Sequence, residues 1–163
     1  MALRPDRNEH LTDLSYFMNV TSERGIIVIH DTGGSGVAMD DSNAVVKVPN
    51  GTTTSGLVPA GLLLNDVVNL DLTRQHINYA KDEVQKGSKV LLLRVGTVST
   101  DQISGTPTIG QAAYMNNVGS ISATATDGVS SDGTLGVPVT PKVGRFLSIK
   151  DVDGYAKVAI NLE

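Results

Sequence analysis

Turn-forming clusters punctuate this chain roughly every 8–12 residues, and that rhythm leaves little room for long helices. Pro49-Asn50-Gly51, Ser55-Gly56, Pro59-Ala60-Gly61, Ser104-Gly105-Thr106-Pro107 and Ser130-Ser131-Asp132-Gly133 all read as turns or loops. The segments between them carry strand patterns. Val67-Val68-Asn69-Leu70-Asp71-Leu72 puts Val68, Leu70 and Leu72 on one face. Residues 155–162 do the same with Ala156, Val158, Ile160 and Leu162, leaving Lys157 and Asn161 on the other. Period-two alternation marks a strand with one buried and one wet face. Gly25-Ile26-Ile27-Val28-Ile29 and Val90-Leu91-Leu92-Leu93 are short continuous apolar runs, which predicts strands buried on both sides. A parallel α/β fold would need long amphipathic helices between strands. The expected fold is therefore all-β, a small barrel or sandwich.

Two segments carry weaker, helix-like signals. Within residues 10–20, Leu11, Leu14, Phe17 and Met18 recur at spacings of three and four. Residues 73–85 are charged with little apolar stripe, and read as a short helix or a long loop. Residues 120–141 are rich in Ser, Thr, Gly and Val and read as an extended surface excursion. Near the end, Arg145-Phe146-Leu147-Ser148-Ile149-Lys150 runs into Asp151-Val152-Asp153-Gly154, a hairpin whose Asp-Gly supplies positive φ. The expected organisation is an N-terminal arm, helical or extended, over residues 1–22 and a β domain over residues 23–163.

Composition removes several function classes from contention. The 163 residues carry a net charge of −4, whereas nucleic-acid binding calls for a basic patch. There is no Cys or Trp, so thiolate metal sites are excluded and base-stacking or carbohydrate platforms have only four Tyr to draw on. No stretch approaches the roughly 18 apolar residues of a membrane helix, and the first seven residues lack the apolar core of a secretion signal.

Catalytic leads are few. Asp31-Thr32-Gly33 follows an apolar run, the setting in which aspartic proteases present a carboxylate, and a homodimer could pair two such Asp31 side chains. His30 stands where the retroviral-type proteases prefer an apolar residue, and Gly33-Gly34-Ser35-Gly36 reads as a turn leaving a strand. That glycine stretch also lacks the Lys-Ser/Thr of a phosphate loop. Asp151-Val152-Asp153-Gly154 opens like a calcium loop, but Ile160 stands where the closing Glu belongs. His10, His30 and His76 have no metal-ligand spacing. No catalytic, cofactor or metal residue is therefore expected.

Several blocks resemble the head-decoration, or cement, proteins of tailed bacteriophages. Arg4-Pro5-Asp6-Arg7 through Leu14-Ser15-Tyr16-Phe17-Met18 is similar to their leading arm. Lys89-Val90-Leu91-Leu92-Leu93-Arg94-Val95-Gly96, with Ala112-Ala113-Tyr114-Met115, is similar to their paired central strands. Gly144-Arg145-Phe146-Leu147-Ser148 and Asp153-Gly154-Tyr155-Ala156-Lys157-Val158 resemble their closing hairpin. The resemblance implies a tulip-like β domain that forms a homotrimer or homodimer on the outer capsid surface, made in the host cytoplasm. Its partners would be the major capsid protein and itself, with no nucleic acid or membrane. The 1–22 arm and the 120–141 excursion are long for the most compact members. An arm must bury apolar side chains to offset the entropy of ordering, which singles out Leu11, Leu14, Tyr16, Phe17 and Met18 as candidate interface residues. Deleting residues 1–20 is expected to weaken attachment and leave a folded β domain. A carbohydrate- or receptor-binding module of a tail or fibre is the alternative.

Overall fold

A computed structural model describes residues 3–31, 45–51, 56–64, 83–125, 127–129, 135–138 and 140–163. Among them the chain is all-β, as its punctuation predicts. Fifteen strands run in order: β1 Asn8–Asp13, β2 Phe17–Met18, β3 Ser22–Glu23, β4 Ile27–His30, β5 Val45–Lys47, β6 Pro59–Leu64, β7 Glu83–Val84 and β8 Leu91–Thr100. Then follow β9 Ile103–Ser104, β10 Ala112–Met115, β11 Ile121–Ser122, β12 Asp127–Val129, β13 Leu135–Pro138, β14 Lys142–Phe146 and β15 Ala156–Asn161. Eleven form one sheet in the order β2-β5-β4-β6-β8-β15-β14-β10-β11-β9, with β1 added against β8; β12-β13 and β3-β7 are separate pairs. The order is open, ending on two-residue strands, and is consistent with a sandwich-like domain.

The ten-residue strand β8 organises everything else. Its Leu92 and Leu93 pair with both β6 and β1, so those two strands lie on opposite edges. Val95, Gly96 and Thr97 pair with both β15 and β1, which puts β15 opposite β1 as well. It follows that β6 and β15 share one edge of β8, end to end, with the change of partner at Arg94. One half of the sheet hangs from the start of β8 and the other from its end. β1 spans the junction from the far edge. Its pairing breaks register twice, skipping His10 on β1 and Arg94 on β8, so the irregularity falls where β8 changes partner.

The continuous apolar runs are buried on both faces, as expected. Ile27 and Ile29 enter one core cluster and Val28 a second, and Leu62, Leu64 and Leu93 likewise oppose Leu63 and Leu92. Strand β15 shows the expected alternation, with Ala156, Val158 and Ile160 buried and Asn161 exposed. Phe146, fully buried, packs in the same cluster.

Several expectations are corrected. Residues 10–20 are not helical. Residues 8–13 pair with β8, and the Asp13 carboxylate accepts the Ser15 backbone N–H at 2.8 Å, a local bond that competes with helix. Of the expected arm, residues 3–22 are described, and within them β1 and β2 belong to the main sheet and Leu3 and Met18 to its cores. Pro59-Ala60-Gly61 is no turn but the start of β6, where Pro occupies the first strand position and Ala60 is buried. β8 and β10 are not partners; β10 lies between β11 and β14. The expected excursion at 120–141 begins in the core, with Ile121 fully buried, and among its described residues β12 pairs antiparallel with β13. The expectations for residues 33–36, 67–72, His76 and 130–133 lie outside the described residues; of the segment 73–85, expected as a helix or loop, only the end is described, and there Glu83–Val84 is strand β7, paired with β3.

Candidate functional site

The residues singled out at the N-terminus do not form one surface. Met18 is fully buried in the second core cluster, against which Tyr16 also packs. Phe17 is half-buried, with Lys89 Nζ 5.5 Å from its ring centre. Leu11 and Leu14 alone are exposed, at 40% and 51%. Met18 is thus occupied in its own domain, and the pair left for a partner is Leu11 and Leu14.

Sequence reasoning missed a richer apolar edge around the β14–β15 hairpin. Ile109, Leu147, Ile149 and Val152 are exposed at 72%, 40%, 60% and 102%. Ile109 sits beside Leu147 because Gly110 N–H bonds the Phe146 carbonyl at 2.8 Å. A signal was available: with Phe146 directed inward, Leu147 must point out, and a Val between two Asp in a turn has no core to enter.

The hairpin tip is tightly held. Gly154 N–H bonds the Asp151 carbonyl at 3.1 Å, and Gly154, at φ 90°, is its one positive-φ residue. This is a three-residue loop ending in a left-handed Gly, in place of a tight two-residue turn. Asp151 Oδ1 accepts backbone N–H groups of Asp153 (3.0 Å) and Tyr155 (2.8 Å). From the other end of the chain, Arg4 reaches both Asp151 (2.8 Å) and Asp153 (2.9 Å) and lies 4.2 Å from the Tyr155 ring centre. The Tyr155 bond, with Arg4 and Asp153, holds the Asp151 carboxyl below its ordinary range. The two carboxylates that resemble a calcium loop are engaged by an arginine.

Asp31 is similarly committed. Its side chain is 7% exposed, with Lys47 Nζ 3.0 Å from Oδ1 and Asn19 Nδ2 donating to Oδ2 at 2.7 Å. Its backbone N–H bonds the Val45 carbonyl at 3.0 Å. The group therefore ties β4 to β5 and to the residue after β2, whereas a protease dyad requires a second carboxylate facing the first. Thr32 and Gly33 lie outside the described residues.

Titratable side chains from three strands, Asp13 of β1, His30 of β4 and Arg94 of β8, influence one another electrostatically. His30 packs edge-on to Tyr16 at 5.3 Å. Burial, then the nearby Arg94 guanidinium, hold the imidazole below its ordinary 6.5, with Asp13 pulling the other way. Desolvation pushes the Asp13 carboxyl up, but bonds from the Ser15 hydroxyl and N–H, with Arg94 and His30, outweigh it and leave it lowered. A depressed pKa means that the unfolded chain takes up the proton first on acidification. The His30 contribution is thus fully present above pH 6.5 and lost as pH falls through the lowered folded value. Urea denaturation at a series of pH values should show stability declining below about pH 6.5, and His30→Gln should flatten that slope. Parallel curves for the two proteins would dismiss His30 as the source. His10 lies on β1 and His30 on β4, and among the described residues no three His, Asp or Glu side chains gather as a metal-binding group.

No family model matches this chain, and no curated protein matches it.

Proposed function

We propose that this chain is a structural virion protein, a capsid cement protein that oligomerises on the outer capsid surface and bridges subunits of the major capsid protein. The observation that carries the proposal is the set of exposed apolar side chains Leu147, Ile149 and Val152 on a hairpin fixed by Arg4, Asp151 and Asp153, with exposed Ile109 on the segment that Gly110 bonds to the base of that hairpin. Single exposed apolar residues are ordinary; three in one connection, around a pre-ordered turn, favour a surface that another protein covers. Ordering the tip in advance lowers the entropic cost of docking. Repeating a modest contact through a symmetric trimer or dimer multiplies avidity without new chemistry.

Cryo-electron microscopy of native particles from the virus encoding this chain is the direct test. Density fitting the β8-centred sheet should stand on the outer shell, with the β14–β15 tip against a neighbouring chain. Charging the edge with Ile149→Asp and Val152→Asp should abolish occupancy at unchanged melting temperature. Particles lacking the chain, or full occupancy by the charged variant, would overturn the proposal.

A further inference from the structure

We infer that the groove across the outer face of β14 and β15 docks an extended acidic segment of a partner protein. The groove measures about 480 Å³ and is lined by Lys142, Gly144, Arg145, Leu147, Ala159 and Asn161. It exists because of a register break. Against β10, Ala113 pairs with Gly144 and Tyr114 with Lys142, so Val143 is an extra residue on β14. In a regular strand, residues three apart point to opposite faces. The bulge shifts the phase by one, so Val143 and Phe146 are both fully buried while Lys142 and Arg145 are both exposed. Two cations thereby come to one face, about 10 Å apart along the strand at about 3.3 Å per residue.

Their surroundings define the partner. Gly144 and Ala159 have almost no side chain, which gives the groove its depth between the longer walls. Arg4, Arg7, Lys47 and Lys157 each hold a carboxylate, on Asp151 and Asp153, Glu9, Asp31 and Asp6 respectively. Among the described residues, neither Lys142 nor Arg145 has one. A chain with 17 acidic and 13 basic residues leaves two cations unengaged at a concave face. Charge complementarity selects an extended ligand whose same-face carboxylates, about 7 Å apart for every two residues, are both within reach of the long, flexible Lys142 and Arg145 side chains. Arg145 can take one of them through a two-pronged guanidinium contact and Lys142 the other as a point charge. The exposed Asn161 carboxamide can bond an extended backbone, and Leu147 offers an apolar end stop. Nucleic acid fits poorly, because two cations on a chain of net charge −4 give no extended basic track.

The test uses purified full-length protein without particles, so its result is independent of the virion proposal. The probe is a short fluorescent peptide alternating Glu with Ser and ending in Leu, read by anisotropy at low salt. It should bind the native chain, weaken with added salt, and bind roughly tenfold more weakly to Lys142→Glu/Arg145→Glu. Lys142→Gln/Arg145→Gln serves as a milder variant, and melting curves check that both remain folded. Equal binding by a folded double variant, or no binding to the native chain, would overturn the inference. So would a single-stranded oligonucleotide of equal charge binding the groove as tightly, since that marks an unselective anion surface.

Discussion

Deletion of residues 1–18 should leave no cooperatively folded domain. The segment resembles a detachable arm in sequence, yet β1 covers the far edge of β8 from Leu92 to Thr97, across the point where β8 exchanges β6 for β15. Leu3, 3% exposed, packs in the larger core cluster, and Met18, fully buried, in the smaller. Emptying a buried Leu or Met site costs about 2–5 kcal/mol each, set against a total stability of about 5–15 kcal/mol. The uncovered edge of β8 would add unpaired backbone groups and a template for aggregation. Circular dichroism of the truncated chain should show loss of the β signal or a broad, non-cooperative melt. A sharp transition within a few degrees of the full-length value would mean that β1 is dispensable.

Gly144→Ala is expected to be the most damaging single-atom addition. A Cβ there would lie 1.8 Å from the Ala159 carbonyl oxygen, 2.9 Å from its carbon and 3.2 Å from Ile160 Cα. All three are backbone atoms of the paired strand, so no side-chain rotation relieves the overlap. β14 and β15 must separate, which disturbs Phe146, Val158 and Ile160 in the core. The expected cost is about 3 kcal/mol or more. At about 2–4 °C per kcal/mol that lowers the melting temperature by roughly 6–12 °C. A melt displaced by less than about 2 °C would show that the strands part easily there, and that the tight register around the bulge is unimportant.

Much of the fold was legible because its signals are local. The alternation of residues 156–161 and the unbroken apolar runs at Ile27 and Leu92 state directly which faces are buried. What could not be read depends on partners far along the chain. Leu11, Leu14, Phe17 and Met18 mimic a helical stripe, and pairing with β8 some eighty residues on decides otherwise. The bulge at Val143 is visible only against β10, so the shared face of Lys142 and Arg145 was hidden. Asp31 looked like a lone carboxylate in a catalytic setting until Lys47, sixteen residues later, came alongside it. The exposure of Val152 was readable locally, because a Val between two turn aspartates has no core to enter.

The end-to-end placement of β6 and β15 along β8 has a mechanical consequence. A load applied to either half-sheet passes into a single continuous strand, so the halves cannot slide past one another as two stacked layers would. β1, lying across the splice, is sheared by any attempt to bend β8 at Arg94. Because β1 pairs with β8 on both sides of that residue, the two strands stiffen the junction together.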